Sequence, residues 1–300
     1  MFNFSYHNPT RIVFGDGQIS QLSKLVPKES KVLLTYGGGS IKQNGVYQQV
    51  IDALKGHQVL EFSGIEPNPS YETLSKAVAL VKAEKIDFIL AVGGGSVVDG
   101  SKYIAAAALL EQDGWAILEK KARIKAALPL GCVLTLPATG TESNANAVIT
   151  RQSTQQKLAF SHPSVYPQFA VLDPKVTYSL PAKQISNGVV DAFVHVMEQY
   201  LTYPVNAAVQ DRFAESLLQV LIEEGPKALN EPENYDIRAN VMWAATMALN
   251  GLIGVGVPQD WATHGLGHQL TALYGLDHAQ TLAIVLPALM QQQRATKRDK

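Results

Sequence analysis

Short apolar runs alternate with longer amphipathic ones through the first 180 positions. KVLLTY (31–36) is apolar, rich in β-formers and ends in GGGS. Helix-spaced apolar positions follow over roughly 41–55, then VLEFSG, a loop carrying IEPNPS, and a second helical pattern over 71–84. DFILAV (87–92) is another buried-strand run that ends in GGGS, and SVVDGSKYIAAAALL continues it as a helix. LGCVLTLP (130–137) and FAVLDP (169–174) complete the set. Continuous apolar strands separated by helices predict a parallel, Rossmann-like α/β sheet covered on both faces.

The pattern changes near Leu180. VVDAFVHVMEQYL, DRFAESLLQVLIEEGPKAL, IRANVMWAATMALNGLI and TLAIVLPALMQQQ all place apolar residues at the helical period, and strand signals stop. The expected organisation is an α/β domain over 1–181 and an all-α domain over 182–300, divided at SLPAKQ, with an active site in the cleft between them. The two GGGS tetrapeptides have different flanks and are no repeat. The last helical pattern runs into QQQRATKRDK without a cap signal, so either the helix frays at a natural terminus or the helical domain is incomplete.

Composition narrows the class. The chain has 300 residues, 46% hydrophobic, enough for a sizeable core. Charged residues are 17%, below the usual quarter, which hints at surface buried against another subunit. A net charge of −1 argues against nucleic acid or an anionic membrane as partner. The only basic-rich patch singled out is the terminal RATKRDK, taken as a solvated tail. The single cysteine, Cys132, permits no intramolecular disulfide and is expected to be a buried thiol. The first residues lack a signal-peptide pattern, and no apolar run reaches the ~18–20 residues of a membrane span. A soluble cytoplasmic protein is expected.

Candidate chemistry begins at the glycine loops. Gly93, Gly94, Gly95 and Ser96 lie between a strand and a helix, where close backbone approach and free helix N–H groups suit a pyrophosphate. The spacing is not G-x-G-x-x-G, and a plain turn competes with this reading. Gly37, Gly38, Gly39 and Ser40 end another strand, with Lys42 just beyond. An acidic residue usually holds the ribose of NAD at such a place. With none here, a dinucleotide ligand is expected to be NADP(H) rather than NAD(H), and a plain turn is again the alternative. In TLPATGTESNANAV, Thr135, Thr139, Thr141, Glu142, Ser143, Asn144 and Asn146 follow a strand and suit either ligand contact or capping of a following helix.

The histidines raise a metal site. Asp191 and His195 are four apart, hence on one helix face, with Glu198 near that face. His264 and His268 form a second such pair, and His278 follows a glycine-containing turn. A charged Asp amid Val and Phe is costly unless paired or metal-bound, and carboxylate with imidazole suits Zn²⁺ or Fe²⁺. Ordinary hydrogen-bonded histidines are the alternative, and spacing does not choose between His264 and His268. His7, His57 and His162 are taken as surface or loop residues.

GGGSVVD (93–99), TLPATGTESNANAV, D-x-x-x-H at 191–195 and H-x-x-x-H with a later His at 264–278 together resemble the iron-containing (group III) alcohol dehydrogenases. TYGGGS, IEPNP, VLTLPATG, NGVVDAFVH, ANVMWAAT and GVPQDWATHGLGH resemble its bacterial NADPH-dependent aldehyde reductases and butanol dehydrogenases of the YqhD type, from the first residues to about Leu289. The resemblance implies a dehydroquinate synthase-like architecture and a homodimer. It implies one divalent ion, Zn²⁺ or Fe²⁺, on Asp191, His195, His264 and His278, with His268 beside it as a proton relay. It places NADPH on Gly94, Gly95 and Ser96 (pyrophosphate), on Gly37, Gly38, Gly39 and Ser40 (2′-phosphate), and on Asn68, Thr135, Leu136, Thr139 and Lys157. Family members normally continue with further C-terminal helices. Their absence would expose apolar faces, at about 1.5–3 kcal/mol per large side chain.

The implied reaction is reversible reduction of short-chain aldehydes to primary alcohols, with a Lewis-acidic ion on the carbonyl oxygen and hydride from the nicotinamide. The rivals are a lyase of the dehydroquinate synthase type, which would need more basic residues than Lys183, Arg212, Lys227 and Arg238 supply, a polyol dehydrogenase, and an inactive remnant that binds only nucleotide or a partner.

Overall fold

A computed structural model of the chain describes residues 1–298. They fall into two compact units, one of residues 9–135 and 141–179, the other of 1–8, 136–140 and 180–298 among the described residues. The units are therefore not consecutive in sequence, because the first eight residues and the segment 136–140 belong with the helices.

The first unit is α/β. Its strands are β1 (Arg11–Phe14), β2 (Lys31–Tyr36), β3 (Gln58–Phe62), β4 (Phe88–Gly94), β5 (Leu130–Leu136), β6 (Asn146–Arg151), β7 (Gln156–Ser161) and β8 (Phe169–Leu172). Its helices are α1 (Leu22–Leu25), α2 (Ser40–Gln43), α3 (Val46–Ala53), α4 (Tyr71–Glu84), α5 (Gly95–Ala107) and α6 (Trp115–Leu118). Six strands form one sheet in the order β1-β8-β5-β4-β2-β3, parallel within β1-β8-β5 and within β4-β2-β3. Consecutive residues of β2, β4 and β8 are buried, as expected where helices cover both faces. Val32, Leu34, Leu90, Val92 and Val171 pack on one face against Ile19, Leu22, Val46 and Val50.

Three strands escape the sequence pattern. β1 is four residues with an exposed Arg11, too short to stand out. β6 and β7 form a separate antiparallel hairpin whose polar connection hides its alternation. The polar patch ahead of it runs into this hairpin and not into an α-helix. Thr141–Ser143 is a 3-10 turn that leads directly into β6.

The second unit holds α7 (Ala182–Tyr200), α8 (Ala208–Asn230), α9 (Tyr235–Ala248), α10 (Ala262–Tyr274), α11 (His278–Gln292) and α12 (Arg294–Lys297). Ala192, Ala214, Ala244, Ala245 and Ala248 dominate its core, so α7, α8 and α9 pack closely. The Phe2 amide donates to the Gly256 carbonyl at 2.8 Å, and the Asn8 side chain to the Asn250 carbonyl at 3.0 Å, which ties the first residues to this unit. No helix among the described residues is long and apolar enough to cross a membrane. Cys132 is buried and free.

Candidate metal centre and nucleotide loops

Three helices converge on Asp191. α7 presents Asp191, His195 and Glu198 at i, i+4 and i+7, hence on one face. α10 contributes His264 and His268, and α11 begins at His278. Two glycines make the second and third contributions possible. A Cβ on Gly267 would lie 2.9 Å from Thr281 Oγ1 and 3.1 Å from Leu282 Cδ2, so glycine there lets α10 approach α11. Gly275, at φ +67°, ends α10 in the left-handed conformation with its N–H on the Thr271 carbonyl.

The Nε2 atoms of His195, His264 and His278 stand 3.7, 3.8 and 3.6 Å from Asp191 Oδ1. These exceed hydrogen-bond distances. Two donors each ~2.0–2.2 Å from a tetrahedral ion would be about 3.3–3.6 Å apart, close to what is seen. Asp191, His195 and His264 are buried, and their candidate ligand atoms all lie within 4.8 Å of one another. Asp191 Oδ1 and His264 Nε2 are buried without a hydrogen-bond partner, a costly state for polar atoms. A divalent cation fits this donor set.

Charge is concentrated at this point. Burial works against the Asp191 charge, but His195, His278 and His264 hold its carboxyl well below the usual range. Burial pushes His195 down to about 4 against the pull of Asp191. Burial also opposes charge on His264, yet Asp191 and Glu198 on either side hold it up at about 9. The His268 ring, half-buried, lies 6.0 Å from that of His264 and 5.1 Å from that of His278. Trp261 meets His264 edge-on at 5.3 Å. Sequence reasoning gave Trp261 no part, and no spacing rule would have found it. Of the other histidines, His57 Nδ1 sits against the Leu54 carbonyl and His162 caps the turn at Pro163–Val165.

The α/β unit gathers three of the residues assigned to a nucleotide. Ser96 Oγ accepts from the Asn68 amide at 3.3 Å, and Lys157 Nζ donates to Asn68 Oδ1 at 2.8 Å. Gly94 is the N-cap of α5, with no side-chain cap on the first turn, so amides of Gly95 and Ser96 suit an anion. Gly93 has a packing reason as well: its Cβ would lie 2.5 Å from Val97 Cγ2. Thr135 and Leu136 are the last residues of β5, and Leu136 and Thr139 fall in the segment grouped with the helical unit.

At the first glycine loop, Gly37, Gly38, Gly39 and Ser40 lead from β2 into α2. The absence of a carboxylate there holds only along the sequence. Glu61 on β3 lies beside the loop, 3.4 Å from Lys42 Nζ, and accepts from the Tyr36 and Tyr47 hydroxyls at 2.6 Å. A second correction concerns charge. Lys120, Lys121 and Arg123 form another basic stretch and line an open cavity of about 480 Å³ with His162.

Residues 9–174 match the iron-containing alcohol dehydrogenase family, and residues 185–300 match the C-terminal part of the Fe-containing alcohol dehydrogenase family. The NADPH-dependent aldehyde reductase YqhD of Escherichia coli (strain K12) is 66% identical over all of this chain and 78% of its own length. A probable NADH-dependent butanol dehydrogenase of Bacillus subtilis (strain 168) is 47% identical over 97% of this chain and 76% of its own. The crystal structure of E. coli K-12 YqhD superposes with a TM-score of 0.98 at 65% identity, covering 100% of this chain and 77% of that one.

Proposed function

Because the chain belongs to the iron-containing alcohol dehydrogenase family, we propose that it is an NADPH- and metal-dependent reductase of short-chain aldehydes, reversible toward primary alcohols. The observation that carries the reading is the ring of three imidazoles around the unpartnered Asp191 Oδ1. The 66% identity to an NADPH-dependent aldehyde reductase supports it.

Asp191, His195, His264 and His278 would hold one Zn²⁺ or Fe²⁺. When bound, the ion supplies Lewis acidity and the nicotinamide supplies hydride. The chain's own residues orient and move protons. His268, half-buried beside the ligand rings, would pass a proton between solvent and the product oxygen. Gly94, Gly95 and Ser96 would seat the pyrophosphate, held in shape by Asn68 and Lys157. Gly37, Gly38, Gly39 and Ser40 would face the 2′-phosphate, and Thr135, Leu136 and Thr139 other parts of the cofactor. The active species would be a homodimer in the cytoplasm.

Glu61 gives NADH a place in the test, since a carboxylate beside the loop disfavours a 2′-phosphate and the B. subtilis relative is named for NADH. Of the four basic residues a lyase would draw on, Lys183 pairs with Asp277 at 2.6 Å, Lys227 pairs with Glu224 at 2.7 Å, Arg238 is buried and Arg212 is exposed. The experiment is butanal-dependent oxidation of NADPH, and of NADH, by the purified chain with and without added Zn²⁺ or Fe²⁺. Metal-dependent turnover that favours NADPH is expected. A folded, metal-loaded sample without turnover would replace this reading with that of a nucleotide-binding remnant.

A further inference from the structure

Glu198 shares the face of α7 that carries Asp191 and His195 but points to a different atom. It is buried, 5% exposed, and grips His264 twice. Its Oε2 accepts from His264 Nδ1, and its Oε1 accepts from the His264 backbone amide at 3.1 Å. Its own carbonyl accepts from the Asp260 amide at 2.9 Å, which fixes the approach to α10. His264 thus lies between two carboxylates of one helix, Glu198 at Nδ1 and Asp191 at Nε2.

A neutral imidazole has one N–H and one lone pair. A carboxylate at Nδ1 holds the hydrogen there and leaves the lone pair on Nε2, the nitrogen that faces Asp191 and has no partner. His195 makes the contrast. It faces Asp191 through Nε2, while its buried Nδ1 has no hydrogen-bond partner.

We propose that Glu198 is a positioning residue for the metal centre: it does not touch the ion, but selects the His264 tautomer and aims Nε2 at the site, and so sets metal affinity. This rests on the metal-dependent reading above. Outer-shell carboxylates of this kind are typically worth about 10- to 100-fold in metal affinity.

The test is Zn²⁺ affinity by competition with a chromophoric chelator, on the full chain and on Glu198→Gln and Glu198→Asp. Glu198→Gln keeps the shape and an acceptor but removes the charge. It should bind Zn²⁺ about 10- to 100-fold more weakly, with the helical circular dichroism of the parent. Glu198→Asp keeps the charge but draws it back, and should fall between the two. Selective ¹⁵N-histidine NMR of the Zn²⁺-loaded parent reads the tautomer without any variant, and should show a strongly deshielded, exchange-protected Nδ1 proton on His264. Equal affinity of parent and Glu198→Gln, or His264 bound to Zn²⁺ through Nδ1, overturns the assignment while leaving the metal reading intact. A parent that takes up no divalent ion overturns both.

Discussion

Lys102 in the α/β unit and Asp191 in the helical unit are both buried charges, 0% and 3% exposed, and their surroundings differ in kind. Lys102 Nζ donates to Thr141 Oγ1 at 2.7 Å, to the carbonyls of Asn144 and Asn146 at 2.9 and 2.8 Å, and to Asn144 Oδ1 at 3.1 Å. Thr141 hands the network on to Asp99 at 2.6 Å, whose other oxygen accepts from the Val148 amide at 2.9 Å. The partners of Asp191 stand off at 3.6–3.8 Å. The first arrangement is closed by the protein and holds the hairpin to α5. The second has its donors spaced for a cation. Burial and charge alone do not separate structure from site; the distance at which partners stop does.

Removing each charge should therefore break different things. Asp191→Ala should lower bound metal from about one ion per chain to background, and NADPH-dependent reduction by about 10³-fold or more. The fold should persist at lower stability, since the three imidazoles that hold the Asp191 charge lose their counter-charge. Metal analysis and a thermal melt check both, and full activity without bound metal would rule out the proposed role. Lys102→Met should do the reverse. It leaves the half-buried Asp99 without its counter-charge and vacates a fully buried donor network, and should cost about 1–3 kcal/mol of stability, read by urea denaturation. Zn²⁺ affinity of the folded fraction should stay unchanged. Loss of Zn²⁺ affinity there would mean that the α/β network also shapes the metal centre.

Chelation probes the open centre without mutation. An ion that binds only the folded chain stabilises it by RT ln(1 + [L]/Kd), about 4 kcal/mol at a thousandfold excess over Kd. Excess EDTA should therefore lower the melting temperature of the parent and leave that of Asp191→Ala unmoved.

The contrast also explains what was legible in sequence. Apolar runs such as KVLLTY and FILAV sit in strands because burial on both faces writes itself as continuous hydrophobicity. Asp191 and His195 were readable because i, i+4 is a local rule, and the family resemblance supplied His264 and His278 as partners. The Lys102 network was not readable. Its partners lie 39 to 44 positions away, in a polar patch with two equally good local readings. Glu198 was seen on the right face but without a role, since its partner is 66 positions away on another helix. Glu61 was missed for the same reason: only the pairing of β2 with β3 puts it next to the first glycine loop.

Lys42 and Glu61 fall between the two extremes, a charge pair neither closed off nor open. Lys42 lies 3.4 Å from Glu61 Oε2 and over the rings of Tyr36 and Tyr47 at 5.1 and 4.6 Å. Both side chains remain solvent-exposed, so the pair is weak and screened by salt. The Glu61 carboxyl is held below its ordinary range despite partial burial, by the hydroxyls of Tyr36 and Tyr47 and by Lys42. It is therefore ionised at neutral pH and competes with any phosphate for Lys42. Glu61→Gln should release Lys42 and improve the NADPH-to-NADH ratio of kcat/KM by about two- to fivefold at low salt, the scale of one exposed ion pair. Added salt should shrink the gain. Gly38→Asp is the sharper control for the same loop, because a Cβ at Gly38 meets nothing within 4 Å while Gly39 sits at φ +100°, where any side chain is strained. It should shift the ratio the opposite way by placing a carboxylate where Glu61 now reaches only Lys42. If both variants left the ratio unchanged, this loop would not read the 2′-phosphate, and the basis for NADPH would have to lie with Asn68 and Lys157.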